Sequence, residues 1–165
     1  MPGLGKKRTP PPASAQPQPS AGPRLLFERG IFARWYVLYR LIEEIDRATR
    51  YERPLAVLVA RPALILGEKL APEARSVAAE AAARTARSTD LVGWLSDDSI
   101  LILMPETTQD EARAAANRWK SEIWLHTRTR GGQKWDVLIL DRLAEFATLE
   151  QFHASLDAHT DGAVA

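Results

Sequence analysis

The sequence predicts an α+β fold, with one mainly antiparallel sheet flanked by helices around a ferredoxin-like β-α-β-β-α-β core. Three observations carry this. Short apolar runs of strand length occur at residues 55–60, 90–95, 100–104 and 135–140. Helical patterning fills the gaps between the first and second runs and between the third and fourth. The second and third runs are joined by Ser96-Asp97-Asp98-Ser99 alone, and Asp and Ser are turn formers because their side chains hydrogen-bond their own backbone. At 165 residues, one domain with a real core is expected.

The elements follow in order. Residues 1–24 hold seven of the eleven prolines (Pro2, Pro10, Pro11, Pro12, Pro17, Pro19, Pro23) among Ala, Ser, Gln and Gly. Such a segment buries too little apolar surface to offset its ordering entropy, so a disordered basic tail is expected. Thr9-Pro10-Pro11-Pro12 suits polyproline docking, and a plain tether is the alternative. From about Leu25 to Arg53 the pattern is helical, with Ile31, Trp35, Leu38, Ile42 and Ile45 on one apolar stripe. Glu43, Glu44, Asp46, Arg47 and Arg50 lie mostly off that stripe, and Trp35, Tyr36 and Tyr39 are assigned to packing. Pro54 ends the helix, since the residue before a proline avoids helical dihedrals.

Residues 55–60 are continuously apolar, as in a central strand buried on both faces, and Arg61-Pro62 is expected to stop it. Residues 63–70 read as a loop or a short turn of helix. Pro72 to about Thr85 is an Ala-rich helix whose seam of Ala74, Val77, Ala78 and Ala81 would let it lie close on a sheet. After the hairpin and Pro105, Thr108-x-x-Glu111 is a capping box. It opens a helix to about Trp124, with Ala112, Ala115, Ala116, Trp119 and Ile123 facing inward. Gly131-Gly132 marks a turn before the last strand. Thr148-x-x-Gln151 caps a final helix to about Ala158, which closes a domain of residues 25–158, and 159–165 fray.

The formal charge of +1 conceals an asymmetry. Lys6, Lys7, Arg8 and Arg24 give the tail +4 with no acid, which leaves the body at −3. A slightly acidic body lacks the basic stripe of a nucleic-acid binder. The absence of cysteine excludes disulfides and thiolate metal sites. No apolar run approaches the ~18 residues of a membrane span, and the N-terminus has no signal-peptide core. A cytoplasmic location is expected. His126, His153 and His159 lack metal-ligand spacing, so neither a metal nor a resident cofactor is expected.

Taken together, several pieces resemble the GGDEF family of bacterial diguanylate cyclases. Gly30-Ile31-Phe32-Ala33-Arg34 is similar to the family's G-L-x-N-R entry, and residues 47–56 (RATRYERPLA) to its R-A-R-R-Y-x-R-P-L-A passage. Asp90-Leu91-Val92-Gly93-Trp94-Leu95, a polar turn and Ile-Leu-Met-Pro-Glu-Thr resemble D-x-V-A-R-L-GGDEF-x-L-L-L-P-x-T. The likeness covers roughly residues 27–157 and implies the nucleotide-cyclase-like fold. It also implies a degenerate site. Ser96, Asp97, Asp98, Ser99 and Ile100 stand at the five signature positions, and the metal-binding aspartate maps to Arg61. The guanine-reading stretch is absent, and the C-terminal motif is reduced to 155–159. Two-metal phosphoryl chemistry needs carboxylates that hold the ions, so the resemblance implies a domain without cyclase activity.

The family's inhibitory site for its product, cyclic di-GMP, is an R-x-x-D before the hairpin with an arginine on the following helix. Arg87-Ser88-Thr89-Asp90 and Arg118 match those positions. An arginine fork suits guanine O6 and N7 or a purine face, an aspartate the N1–H and N2–H₂ edge, and a second arginine the phosphates. An ordinary helix-end ion pair is the alternative for Arg87 and Asp90, with Arg84 and Arg113 as further cations nearby. The resemblance thus implies a cyclic di-GMP receptor or regulatory module. A ligand-free interaction or homodimerisation scaffold with a proline-rich tether is the other expectation.

Overall fold

The computed structural model describes residues 26–64, 68–130 and 132–140. The expected tail, the helix from Thr148 and the end of the chain lie outside them. The order is β1 (Phe27–Glu28), β2 (Ile31–Phe32), α1 (Arg34–Tyr51), β3 (Leu55–Pro62), α2 (Pro72–Thr85), β4 (Leu91–Trp94), β5 (Ile100–Pro105), α3 (Gln109–Thr127) and β6 (Trp135–Ile139).

From β3 to β6 this is the expected β-α-β-β-α-β unit, in a sheet ordered β1-β2-β4-β5-β3-β6. Strand β3 is central. It pairs antiparallel with β5 from Leu55↔Pro105 to Ala60↔Ile100, and with β6 from Leu58↔Ile139 to Pro62↔Trp135. Strands β4 and β5 form the hairpin, and β2 meets β4 in a parallel bridge at Phe32↔Gly93. Because alternate side chains of a strand point to opposite faces, the sheet carries two cores. Ala56, Leu58, Ala60, Ile100, Ile102 and Met104 pack under α2 and α3 with Trp119 and Trp135. Val57, Val59, Leu101 and Leu103 pack under α1 with Val37, Leu38 and Leu41. Burial on both faces is why β3 and β5 read as unbroken apolar runs.

The leading helix departs from expectation. It starts at Arg34 rather than near Leu25, because Arg29 and Gly30 both take positive φ (53° and 88°) and turn residues 27–32 into a small hairpin. Its buried stripe is Val37, Leu38, Leu41 and Glu44. Ile31 is buried from β2, whereas Trp35, Ile42 and Tyr39 are 41%, 37% and 58% exposed. Close approach selects this face. A Cβ built on Gly93 would lie 2.6 Å from Val37 Cβ and 2.8 Å from the Phe32 carbonyl oxygen, so the helix crosses β4 where there is no side chain. Glu44 tolerates burial because Arg40 and Arg47 reach its carboxylate at 2.9 and 3.0 Å. An ion pair of this kind satisfies a buried charge.

Two other boundaries move. Strand β3 runs through Arg61 and Pro62, held by β6 on one side, before proline, which has no N–H, ends the ladder. Helix α3 extends to Thr127, whose hydroxyl lies within hydrogen-bond distance of the Ile123 and Gln133 carbonyls, beside the loop that follows. The capping box forms as expected: the Glu111 N–H donates to Thr108 Oγ1 at 3.4 Å and the Thr108 N–H to Glu111 Oε2 at 2.8 Å. Among the described residues, no helix is long and apolar enough to cross a membrane.

Gly93→Ala is expected to lower stability by roughly 1–3 kcal/mol, the usual cost of overpacking a site where backbone must shift. Urea denaturation followed by circular dichroism measures it. A midpoint equal to that of the parent chain would show that α1 does not depend on this contact.

Candidate ligand site

The hairpin turn is closed on its own groups. The Leu95 and Ser96 N–H groups donate to the Ser99 carbonyl at 2.9 and 3.3 Å. Ser96 Oγ accepts from the Asp98 and Ser99 N–H groups at 3.3 and 3.1 Å. Ile100 is fully buried. The Asp97 side chain is 98% exposed, with Oδ1 3.9 Å from Arg75 Nη2.

Beside the turn lies a cluster that pattern reading did not nominate. Trp94 is buried, and its indole N–H donates to the Glu28 carbonyl at 2.8 Å. The Arg75 guanidinium lies over that indole, 4.2 Å from the ring centroid, and reaches Glu28 Oε1 at 3.3 Å. Arginine over tryptophan is a favourable cation–π geometry, and the Arg75 side chain is only 17% exposed. The one advance signal was Trp94 itself, a tryptophan where the resembled pattern D-x-V-A-R-L has arginine.

Arg61 stands at the same end of the sheet, one residue beyond the Ala60↔Ile100 pair, and is half-buried. Across the ladder from it, Asp136 is paired with Lys120 at 2.8 Å. A divalent ion would need converging carboxylates. Here Asp97 leans toward Arg75, Arg61 brings positive charge, and no group of three or more His, Cys, Asp or Glu among the described residues could hold a metal. The donor set does not fit a two-metal centre.

The segment before the hairpin has a different character. Arg87 is exposed just past the C-cap of α2, while Asp90 is 9% exposed. Asp90 Oδ2 accepts from the Arg87 N–H at 2.9 Å, and the Asp90 N–H donates to the Arg87 carbonyl at 3.1 Å. The carboxylate therefore fixes the main chain of the 87–90 turn. Among the described ion pairs, Arg87 and Asp90 are not joined through the guanidinium. The Glu111 carboxyl is held below its ordinary value, first by hydrogen bonds from the Thr108 N–H and hydroxyl and further by the charge of Arg87.

Arg118 is exposed two helical turns beyond Glu111, on the same side of α3 and about 10 Å along the axis. Arg87 and Asp90 thus lie on the turn after α2 and Arg118 on α3, which packs against α2, with Glu111 as an acid that the motif did not announce. Arg84 and Arg113 are instead engaged locally, with Glu80 and Asp110. His126 Nδ1 lies 2.8 Å from the Glu122 carbonyl, and the other two histidines fall outside the described residues. A cavity of about 730 Å³ lies along α2, lined by Arg29, Pro72, Ser76, Glu80 and Arg130 among others, and includes none of Arg87, Asp90 or Arg118.

No family model and no curated protein matches the chain. Solved structures do. The GGDEF domain of DgcB from Caulobacter crescentus, crystallised with c-di-GMP, superposes with a TM-score of 0.61 at 12% identity, over 88% of this chain and 95% of that one. The diguanylate cyclase SiaD from Pseudomonas aeruginosa, in complex with its activator SiaC, gives 0.63 at 23% identity over 79% of this chain and 54% of its own. A DGC protein from Thermotoga maritima gives 0.56 at 18% identity, over 78% and 94%. The fold is GGDEF-like.

Arg87→Ala is expected to raise the Glu111 pKa toward its ordinary value, read by carboxyl carbon shifts in an NMR pH titration. A carboxyl whose folded pKa is depressed stabilises the fold above its unfolded pKa, and that contribution is lost as pH falls through the folded value. The parent should therefore keep its α3 cap to lower pH than the variant. Identical titration curves would place Arg87 too far from Glu111 to matter.

Proposed function

We propose that this GGDEF-like domain is catalytically inactive and acts in the cytoplasm as a cyclic di-GMP receptor, a regulatory module that binds through Arg87, Asp90 and Arg118. The observation that carries the reading is the exposed Arg87 beside an aspartate whose carboxylate holds the 87–90 main chain, with an exposed Arg118 on the helix that packs against α2. The Arg87 fork can donate to guanine O6 and N7 or stack on the purine. Asp90 Oδ2 is engaged by the Arg87 N–H, so its other oxygen is the acceptor offered to a guanine N1–H or N2–H₂. Arg118, further along α3, is placed to balance phosphate charge. The crystallised complex of the DgcB GGDEF domain with c-di-GMP supports the same ligand class for this fold. Inactivity rests on Arg61, Ser99 and the self-closed turn.

Titration calorimetry with cyclic di-GMP should show saturable binding, weakened about tenfold or more by Arg87→Ala and by Arg118→Ala, a loss of ~1.4 kcal/mol or more each. No heat with ligand at tens of micromolar, or unchanged binding by Arg87→Ala, sinks the receptor reading. GTP incubated with the protein and Mg²⁺ or Mn²⁺ should remain unconverted, and turnover would overturn the assignment of inactivity.

A second reading, a protein-interaction or dimerisation scaffold, is favoured by one observation. Trp35, Tyr39 and Ile42 of α1 are all exposed. Particle mass measured by light scattering across a concentration series separates a self-associating scaffold from a monomeric receptor.

A further inference from the structure

The exposed side chains of α1 continue a run of aromatic rings that begins in the N-terminal hairpin. Phe27 stacks on Phe32 with centroids 4.6 Å apart, Phe32 meets Tyr36 at 4.7 Å, and Tyr36 meets Trp35 edge-on at 5.6 Å. Tyr39 lies one turn further on, with its hydroxyl donating to Glu43 at 2.7 Å, and Ile42 follows. Phe27, Trp35 and Tyr39 are 54%, 41% and 58% exposed, although all are large apolar groups. A run of exposed rings with polar groups at its border marks an interaction surface.

The foot of this ladder is also where the proline-rich segment joins the fold. The Ala33 N–H donates to the Leu26 carbonyl at 2.8 Å, so Leu26 is pinned beside the first turn of α1. The chain before Leu26 carries Pro10, Pro11, Pro12, Pro17, Pro19 and Pro23. Proline-rich chain is pre-organised toward polyproline II, which docks on aromatic-lined surfaces at little entropic cost. The lengths agree. Pro10 lies sixteen positions before Leu26, which in polyproline II span about 50 Å. The 18 residues of α1 extend over about 27 Å. One three-residue turn of such a chain advances about 9 Å, and Trp35 to Ile42 is about 10 Å along the helix. One turn of such a chain therefore spans the exposed surface from Trp35 to Ile42.

We infer that residues 10–23 of this chain fold back along α1 and dock their prolines on the Phe27–Trp35–Tyr39–Ile42 surface of the same molecule. Attachment at Leu26 makes the contact intramolecular and gives it a high effective concentration. The tail then occupies the surface that a partner or a second copy would otherwise use. This surface is separate from Arg87 and Arg118, and the inference holds whatever those residues bind.

The chain has no cysteine, so Ser14→Cys accepts a single nitroxide label on the full-length protein. In a ¹⁵N-correlated spectrum, the Trp35 indole and the Tyr39 and Ile42 amides should lose intensity severalfold. The Trp124 indole, similarly exposed at 38% but on α3 across the sheet, should lose little. Replacing all six prolines of the segment by serine should bring the loss at Tyr39 and Ile42 down to the Trp124 level. Equal broadening at Trp35 and Trp124, or broadening that survives the proline replacement, overturns the inference. So does the same broadening in a mixture of labelled unenriched chain with unlabelled ¹⁵N chain, because the contact would then lie between two copies.

Discussion

Two adjacent residues of β4 hold the N-terminal part of this fold on its sheet. Gly93, by lacking a Cβ, allows Val37 of α1 and the Phe32 carbonyl to close on the strand. Trp94 fills the opposite face and binds the Glu28 carbonyl through its indole N–H. The hairpin of β1 and β2 has strands of two residues each and meets the sheet at one bridge, and buried Ile31, the Arg75–Glu28 ion pair and Phe32 against Tyr36 add to these anchors. The rotation of α1 follows from this contact. With Val37 seated over Gly93, Leu38, Leu41 and Glu44 turn inward, and Trp35, Tyr39 and Ile42 are left on the surface.

That rotation marks the limit of what the sequence made legible. The core topology was readable because both faces of β3 and β5 are covered, which leaves unbroken apolar runs, and because a four-residue polar turn admits only a hairpin. The capping box at Thr108 and the extent of α2 were local signals, and they appear as expected. The phase of α1 was not local. Ile31, Trp35, Leu38, Ile42 and Ile45 make a respectable helical stripe, but Ile31 belongs to a strand and the true stripe includes a glutamate. A buried Glu44 becomes tolerable only with Arg40 and Arg47 beside it, and a helix that passes close over a strand needs Gly93 far away in sequence. Periodicity within the helix contains neither fact.

The candidate site was legible to a similar degree. Arg87, Asp90 and Arg118 could be placed by motif, with Arg87 and Asp90 on the turn after α2 and Arg118 on α3. The use of Asp90 could not be read, because an R-x-x-D spacing serves a side-chain ion pair and a main-chain turn equally well. The structure has the second arrangement, with the carboxylate on the Arg87 N–H. Arg75 was invisible for another reason. It lies in an Ala-rich helix, and its partners Glu28, Trp94 and Asp97 come from the N-terminal hairpin, β4 and the following turn.

The two arginine environments at opposite ends of α2 differ in how far each cation is already committed. At the N-terminal end, Arg75 is largely desolvated on Trp94 and shared between Glu28 and the more distant Asp97, with its side chain 17% exposed. Recruiting that guanidinium to a phosphate would leave Glu28 without its partner and uncover an indole face, so new contacts would first have to replace old ones. At the C-terminal end, Arg87 is exposed, and the glutamate on which its charge acts is already satisfied by Thr108. Solvent and a half-committed carboxylate are weak competitors for an arginine fork. Differential availability of this kind decides which cation an anion can recruit, because binding is driven by the surplus over the interactions given up. By that measure Arg75 is committed to the structure of the turn, and Arg87 is the more available of the two cations.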